Sequence, residues 1–88
     1  MPLYVRTLLI TGPADEVQAA SVEHREHLRD LHARGKLRAA GEFNHGEGFL
    51  EIFEARDLMD AQSVAGASPL IAEGLGTWML REWIELTL

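Results

Sequence analysis

Glycine and proline residues divide this chain into short segments, and the order of those segments restricts the folds open to it. Residues 3–11, LYVRTLLIT, are apolar and rich in β-branched side chains, which is typical of a strand. Gly12 and Pro13 end that strand, because proline cannot continue a ladder and its fixed φ favours a helix start. Residues 14–35 then follow a helical period, and Gly35 suits the left-handed position that ends a helix.

Two further strands and a second helix follow. Residues 36–43 and 48–55 flank the turn-forming sequence NHGE and predict a hairpin. Asp57 is a residue type that caps helices, and it precedes a predicted helix over 58–66.

The last third of the chain completes the pattern. Ser68 followed by Pro69 predicts an N-cap and the first residue of a short helical turn, and residues 76–86 predict the last strand. The resulting order, β-α-β-β-α-β, predicts an α+β ferredoxin-like fold. In that fold a four-stranded antiparallel sheet carries both helices on one face.

The first strand is apolar on both faces. Leu3, Val5 and Leu9 lie on one side, and Tyr4, Leu8 and Ile10 lie on the other. Helices cover only one face of such a sheet. Unless something covers the other face, each strand should alternate apolar residues with polar residues that meet water. A second copy of the same sheet would cover it through a self-complementary interface, which predicts a homodimer. The alternative is that short strands in small domains are apolar on both sides without a partner.

Length and composition limit the classes of protein. The chain has 88 residues, which predicts one domain over 1–88, and it has no cysteine for disulfides or thiolate metal sites. A net charge of −6 argues against nucleic acid as a partner. No apolar run reaches the length of a membrane span, and the N-terminus lacks the features of a signal peptide. These observations predict a cytoplasmic protein with no membrane partner.

Three of the four histidines fall within nine residues, at positions 24, 27 and 32. Helical spacing separates them. His24 lies at the centre of the apolar stripe of the first helix and is expected to be a core histidine with a satisfied hydrogen bond. His27 lies at the border of the stripe, where its ring can reach a cleft between helix and sheet. His32 lies on the opposite border and is expected to be solvated.

The segments HLRDLHARGKLRAAGEF and GFLEIFEARDLMDAQSVAGASPLIAEGL, followed by a strand ending near LREW, resemble the YCII-related family over nearly the whole chain. The resemblance implies a ferredoxin-like fold that dimerises into an α+β barrel. Muconolactone-isomerase-like proteins share this architecture and remain a competing assignment.

The resemblance also implies an active pair, formed by a histidine on the first helix and an aspartate before a proline that follows the second helix. The histidine corresponds to His27 and the aspartate to Ser68. Serine can hydrogen-bond an imidazole but brings no charge that would favour the imidazolium. Glu42 is a candidate to restore a carboxylate to the cleft.

The resemblance and these residues together imply cofactor-free proton transfer on a small-molecule substrate, which makes the chain a candidate lyase or isomerase. His27 would move the proton in an isomerisation, dehydration or elimination, for which a histidine pKa near neutrality is suitable. Ser68 would orient His27, and Glu42 would substitute for the aspartate. His24, His45 and Trp78 are candidate ligand-binding residues. The alternative is a non-catalytic ligand-binding or accessory domain whose histidine–aspartate pair has decayed.

A metal site is a weaker alternative. His24 and His27 are three residues apart on a helix and can in principle chelate an ion together with His45 or Glu42. The chain has no motif such as H-E-x-x-H, so we predict neither a metal nor a cofactor.

Overall fold

The computed structural model describes residues 1–88, the whole of this chain. Seven elements follow one another: β1 (Leu3–Ile10), α1 (Ala14–Ala33), β2 (Leu37–Phe43), β3 (Gly48–Glu54), α2 (Leu58–Gly66), α3 (Pro69–Ala72) and β4 (Gly76–Trp83). The short α3 is the helical turn expected after Ser68. No helix combines the length and apolar character needed to cross a membrane.

The four strands form one antiparallel sheet in the order β2-β3-β1-β4. The sheet has the strand order of the ferredoxin-like α+β class, which confirms the predicted fold. β1 and β3 are the central strands, and every second residue of each is buried towards the helices. The centre of the molecule is therefore the space between these two strands and α1.

The core consists of two apolar clusters. The first joins Tyr4 and Phe53 to the alanines of α2, and the second joins Leu8 and Phe49 to residues of α1 and α3. Along β1 the position between Tyr4 and Leu8 is Arg6, and along β3 the position between Phe49 and Phe53 is Glu51. A charged pair therefore lies between the two halves of the core.

Local signals set most of the element ends. Gly35 follows α1 with φ +71°, a conformation that glycine adopts without steric cost, as predicted. The Asp57 side chain accepts a hydrogen bond from the backbone N–H of Asp60 at 2.9 Å and caps α2, also as predicted. Ser68 occupies the N-cap position of α3, but its hydroxyl makes no capping hydrogen bond.

The last strand is shorter than predicted, since β4 ends at Trp83 and residue 86 lies outside it. Trp83 pairs with Leu3, the first residue of β1. Residues after Trp83 therefore have no partner in the neighbouring strand, and the ladder stops there.

The sheet face turned away from the helices is apolar, as the sequence indicated. Val5, Leu50 and Ile52 are half-buried at its centre. Leu9 and Met79 are 54% and 55% exposed on the same face. Helices leave this face uncovered, and we call it the open face.

Candidate functional site

A buried ion pair forms the floor of the candidate site. Arg6 and Glu51 face each other across β1 and β3, and Arg6 Nε donates to Glu51 Oε1 at 2.6 Å. Arg6 Nη1 also donates to the carbonyl oxygen of Ala65 at 2.9 Å, in the last turn of α2, where the helix dipole favours a cation. Both charged side chains are fully buried. Their mutual contact therefore offsets much of the cost of removing them from water.

His24 extends this pair to the helices. Its Nε2 lies 3.0 Å from Glu51 Oε2, and its Nδ1 lies 2.6 Å from Ser68 Oγ. A carboxylate only accepts hydrogen bonds, so Nε2 carries a hydrogen that it donates to Glu51. The protonation of Nδ1 decides whether that atom or the Ser68 hydroxyl is the donor in the second hydrogen bond. His24 thereby connects α1 to β3 and to the start of α3.

The environment of Glu51 favours its ionised form. Burial by itself raises the pKa of this carboxyl group. The hydrogen bond from His24 and the positive charge of Arg6 together outweigh burial, and the pKa lies below its ordinary value of 4.5. Glu51 is therefore a carboxylate at neutral pH.

The linkage of Ser68, His24 and Glu51 has the connectivity of a serine-hydrolase triad. All three side chains are fully buried, however, and Ser68 precedes a helix of only four residues. A nucleophile must reach a substrate carbonyl, which this hydroxyl cannot do. The linkage therefore positions His24 and supplies no nucleophile.

His27 lies one helical turn beyond His24 and is half-buried. The two ring centroids are 6.1 Å apart. The Nε2 atom of His27 is buried and has no hydrogen-bond partner. His27 is thus the member of the cluster that has a free nitrogen and reaches towards the surface.

The pKa of His27 departs from the value near neutrality expected from the sequence. Burial, followed by the charges of Arg6 and His24, lowers it from 6.5 to about 4, and Glu51 and Asp30 offset part of that effect. The imidazole is therefore neutral at neutral pH.

Ser68 does not orient His27, so the expected contact between them is wrong. The Ser68 hydroxyl bonds to His24 instead, because His24 is at the centre of the buried stripe and points directly at the start of α3. His24 is the core histidine with satisfied hydrogen bonds that its place in the stripe indicated. It is also fully enclosed, which contradicts its assignment as a ligand-binding residue.

Glu42 does not join the cluster either. It bonds to Arg25 at 2.5 Å and accepts a hydrogen bond from the backbone N–H of Gly46. Around α1, Arg25 lies about 100° from His24 in one direction and His27 about 60° in the other. The expectation that Glu42 restores a carboxylate beside His27 is therefore wrong, and Glu51 is the carboxylate of the cluster.

The other candidate residues lie apart from His27. His45 is exposed in the turn between β2 and β3, and His32 is exposed on α1. Trp78 is 39% exposed on the edge strand β4, opposite Leu8. No group of three or more histidine, cysteine, aspartate or glutamate side chains is arranged to hold a metal ion.

The sequence analysis did not identify Arg6 and Glu51, although a signal for both was present. In LYVRTLLI, Arg6 shares a strand face with Tyr4 and Leu8, and in GFLEIFE, Glu51 shares one with Phe49 and Phe53. A charged residue flanked on its own face by large apolar residues is almost never fully buried unless it is paired. Two such positions of opposite charge predict a buried ion pair.

The fold and the site define a class of protein: a ferredoxin-like α+β protein with a histidine, carboxylate and arginine network buried between α1 and the sheet. A family model, the YCII-related domain, matches residues 4–86. The chain belongs to the YCII-related family, as the sequence resemblance indicated.

A curated relative also matches this chain, and two solved structures share its fold. The uncharacterized protein YjpA of Bacillus subtilis is 33% identical over 60 residues, which are 68% of this chain and 71% of YjpA. PA3566 of Pseudomonas aeruginosa aligns with a TM-score of 0.63 at 16% identity, over 98% of this chain and 95% of its own. The 5-chloro-2-hydroxyhydroquinone dehydrochlorinase TftG of Burkholderia phenoliruptrix, solved with 2,5-dihydroxybenzoquinone, aligns with a TM-score of 0.60 at 16% identity, over 91% and 93%. At this identity the two structures support the fold.

Proposed function

We propose that this protein is a cofactor-independent enzyme that transfers a proton on a small metabolite, with His27 as the catalytic residue. The observation that supports the proposal is the buried, unpartnered Nε2 of a half-buried histidine. A buried side-chain nitrogen without a partner is an exception that calls for an explanation, and contact with a substrate is one.

The protonation state of His27 suits a base. With a pKa lowered to about 4, the ring is neutral at neutral pH and can accept a proton. A base of such low pKa is weak by itself. It becomes stronger when negative charge develops beside it, because a nearby anion favours the imidazolium. The proposed reaction is therefore one in which proton removal leaves an anion close to His27, as in an isomerisation, a dehydration or an elimination.

The buried network positions this base. Ser68 and Glu51 fix the ring of His24, which lies against His27 on the same helix. His24 and Ser68 are positioning residues in this proposal, because neither is exposed to a substrate.

The choice of first substrates follows from TftG, whose name describes an elimination of chloride from a hydroxylated aromatic ring. We propose assays with chlorinated and unchlorinated hydroxyquinols and with small enolisable ketones. The reaction would be followed by ultraviolet absorbance and by release of chloride.

The test compares His27→Gln with His32→Gln. Glutamine at position 27 retains polarity but cannot take up a proton, and we expect kcat to fall by about 10²–10⁴, the usual contribution of a general base. His32 is exposed on the same helix, so its variant should retain the wild-type rate. Equal rates for wild type and His27→Gln would remove the catalytic proposal.

A second candidate function is a ligand-binding domain without chemistry. Serine at position 68, in place of the family's aspartate, supports this alternative. Without that aspartate, Glu51 is the carboxylate of the site, and it is already hydrogen-bonded to Arg6 and His24. In that case a ligand would perturb the NMR signals of His27 and bind with measurable affinity, while no product would form.

We also propose that two copies associate through the open face to give the α+β barrel. Leu9, Met79 and Trp83 are 54%, 55% and 36% exposed there, and all three are large apolar side chains. Contiguous exposed apolar surface of this kind marks an interaction site, and a second sheet of identical shape is a self-complementary cover for it.

A further inference from the structure

The largest cavity of the molecule lies on the side of α1 that is turned away from His27. Its volume is about 530 Å³, which is within the range of small-molecule pockets. Residues of α1 form one wall, the end of β1 contributes Ile10, and the turn between β2 and β3 contributes Gly46. Neither His27 nor a member of the buried network lines it, so the cavity is separate from the site described above.

The walls of this cavity are largely apolar. Ile10 and Val17 are half-buried in them, and Val22 lines the cavity while 60% of it is exposed. An apolar ligand would remove this surface from water, which is favourable. The lining runs from Ala14 to Arg25, which at about 1.5 Å per residue is about 16 Å along the helix axis. The cavity is therefore elongated and suits an apolar ligand with the shape of a chain.

The charge of the lining restricts the ligand further. Arg25 is its one charged side chain, and no acidic residue lines the cavity, although the chain has a net charge of −6. A smaller cavity on the other side of α1, with a volume of about 280 Å³, is lined by Glu16, Glu23 and Glu73. The large cavity therefore favours an anion, which the small one would repel.

Two contacts hold Arg25 in place. Its Nη2 donates to Glu42 at 2.5 Å, and the central carbon of the guanidinium lies 5.7 Å from the centre of the Phe49 ring. Nε and Nη1 of Arg25 make no hydrogen bond within the chain, so these donors remain available to an anion. Ser21, one helical turn before Arg25, also lines the cavity and has a hydroxyl that can donate.

We propose that this cavity binds a linear apolar carboxylate of medium chain length. The carboxylate accepts hydrogen bonds from Arg25, and the hydrocarbon chain lies along Val22, Val17 and Ile10. The site goes beyond the proposed function, because proton transfer at His27 does not require it.

The test uses octanoate as the probe, with calorimetric titration for affinity and NMR for position. Wild-type protein should bind it with a Kd below about 1 mM and with shifts in the backbone amides of residues 14–25. 1-Octanol has the same chain without the charge and should bind at least about ten-fold more weakly, since hydrogen bonds to a charged group are lost. Butanoate should bind about 100-fold more weakly, because it buries fewer CH₂ groups.

Arg25→Gln tests the anion contact. This variant should bind octanoate at least about ten-fold more weakly and should lose the preference for octanoate over 1-octanol. Arg29→Gln is the matched control, since Arg29 is exposed on the same helix and pairs with Glu26, so it should match wild type.

Val22→Asp tests the apolar wall, because it places an anion beside the hydrocarbon chain, and it should abolish octanoate binding. Arg25 and Val22 are both exposed, so these variants should fold as wild type does.

Three results would overturn the proposal. The first is equal affinity for octanoate and 1-octanol, or equal affinity of wild type and Arg25→Gln for octanoate. The second is the absence of binding below about 1 mM. The third is a set of NMR shifts centred on His27, which would assign octanoate to the site of the proposed function. Octanoate binding at residues 14–25 by a protein that turns over none of the test compounds supports this inference and removes the enzyme.

Discussion

Nδ1 of His24 lies 2.6 Å from Oγ of Ser68, although 44 residues separate the two in the chain. The contact connects the middle of α1 to the start of α3. It also accounts for a serine at an N-cap position that makes no capping hydrogen bond, since the hydroxyl is directed to the imidazole instead.

Ser68→Ala should destabilise the protein by about 1–3 kcal/mol, because it leaves a buried ring nitrogen without a partner. Ser63→Ala is the matched control, since Ser63 is exposed on α2 and its loss should change stability by less than about 0.5 kcal/mol. Urea unfolding monitored by circular dichroism measures both. Equal midpoints for the two variants would contradict a stabilising contact at His24.

Glu51→Ala should be among the most damaging single changes in the chain. Removing one partner of a buried ion pair leaves an uncompensated buried charge, which costs about 3–5 kcal/mol. Glu85→Ala removes an exposed partner of Arg38 at a similar distance, 3.0 Å, and should cost less than about 1 kcal/mol.

A double variant, Arg6→Met with Glu51→Met, tests the cause of that loss. It removes both charges and fills their volume, so it should be more stable than Glu51→Ala by thermal unfolding. A double variant less stable than Glu51→Ala would mean that the hydrogen bonds to His24 and Ala65 outweigh the unpaired charge.

Stability should fall as the solution is acidified, in two windows. His27 has a folded pKa of about 4 against 6.5 when unfolded, so the unfolded chain binds more protons between these values and stability decreases as pH falls through them. For a half-buried group, screening limits the effect to about 1–2 kcal/mol. Glu51 has a pKa below 4.5, so its contribution is complete above 4.5 and is lost as pH falls further.

His27→Gln separates these windows. The variant should show a flat stability profile between pH 6.5 and 4.5 and keep the acid loss below 4.5. Denaturant unfolding at several pH values measures it. A wild-type profile that is already flat above 4.5 would show that His27 is not buried as described.

Met79→Glu should dissociate the proposed dimer, because it places a charge in an apolar interface. Met59→Glu is the control, since Met59 is 80% exposed on α2 and away from the open face. Light scattering should give twice the 9.8 kDa chain mass for wild type and Met59→Glu, and the chain mass for Met79→Glu. A wild-type mass of one chain at all concentrations would contradict the dimer.

The sequence by itself determined the order of the elements and the face that α1 buries. Gly35 ends α1 and Asp57 caps the start of α2. Both effects depend on neighbouring residues in the chain, so the sequence is enough to predict them. The helical period alone placed His24 inside, with His27 at the border and His32 outside, because 3.6 residues per turn fixes which residues share a face.

Only the tertiary structure decided which residues form the site. Ser68 bonds to His24 in place of His27, and Glu51 supplies the carboxylate in place of Glu42, because the crossing of α1 over the sheet sets these distances. The pairing of Arg6 with Glu51 follows from the register of β1 against β3. The low pKa of His27 depends on burial and on the charge of Arg6 on β1, neither of which local sequence specifies.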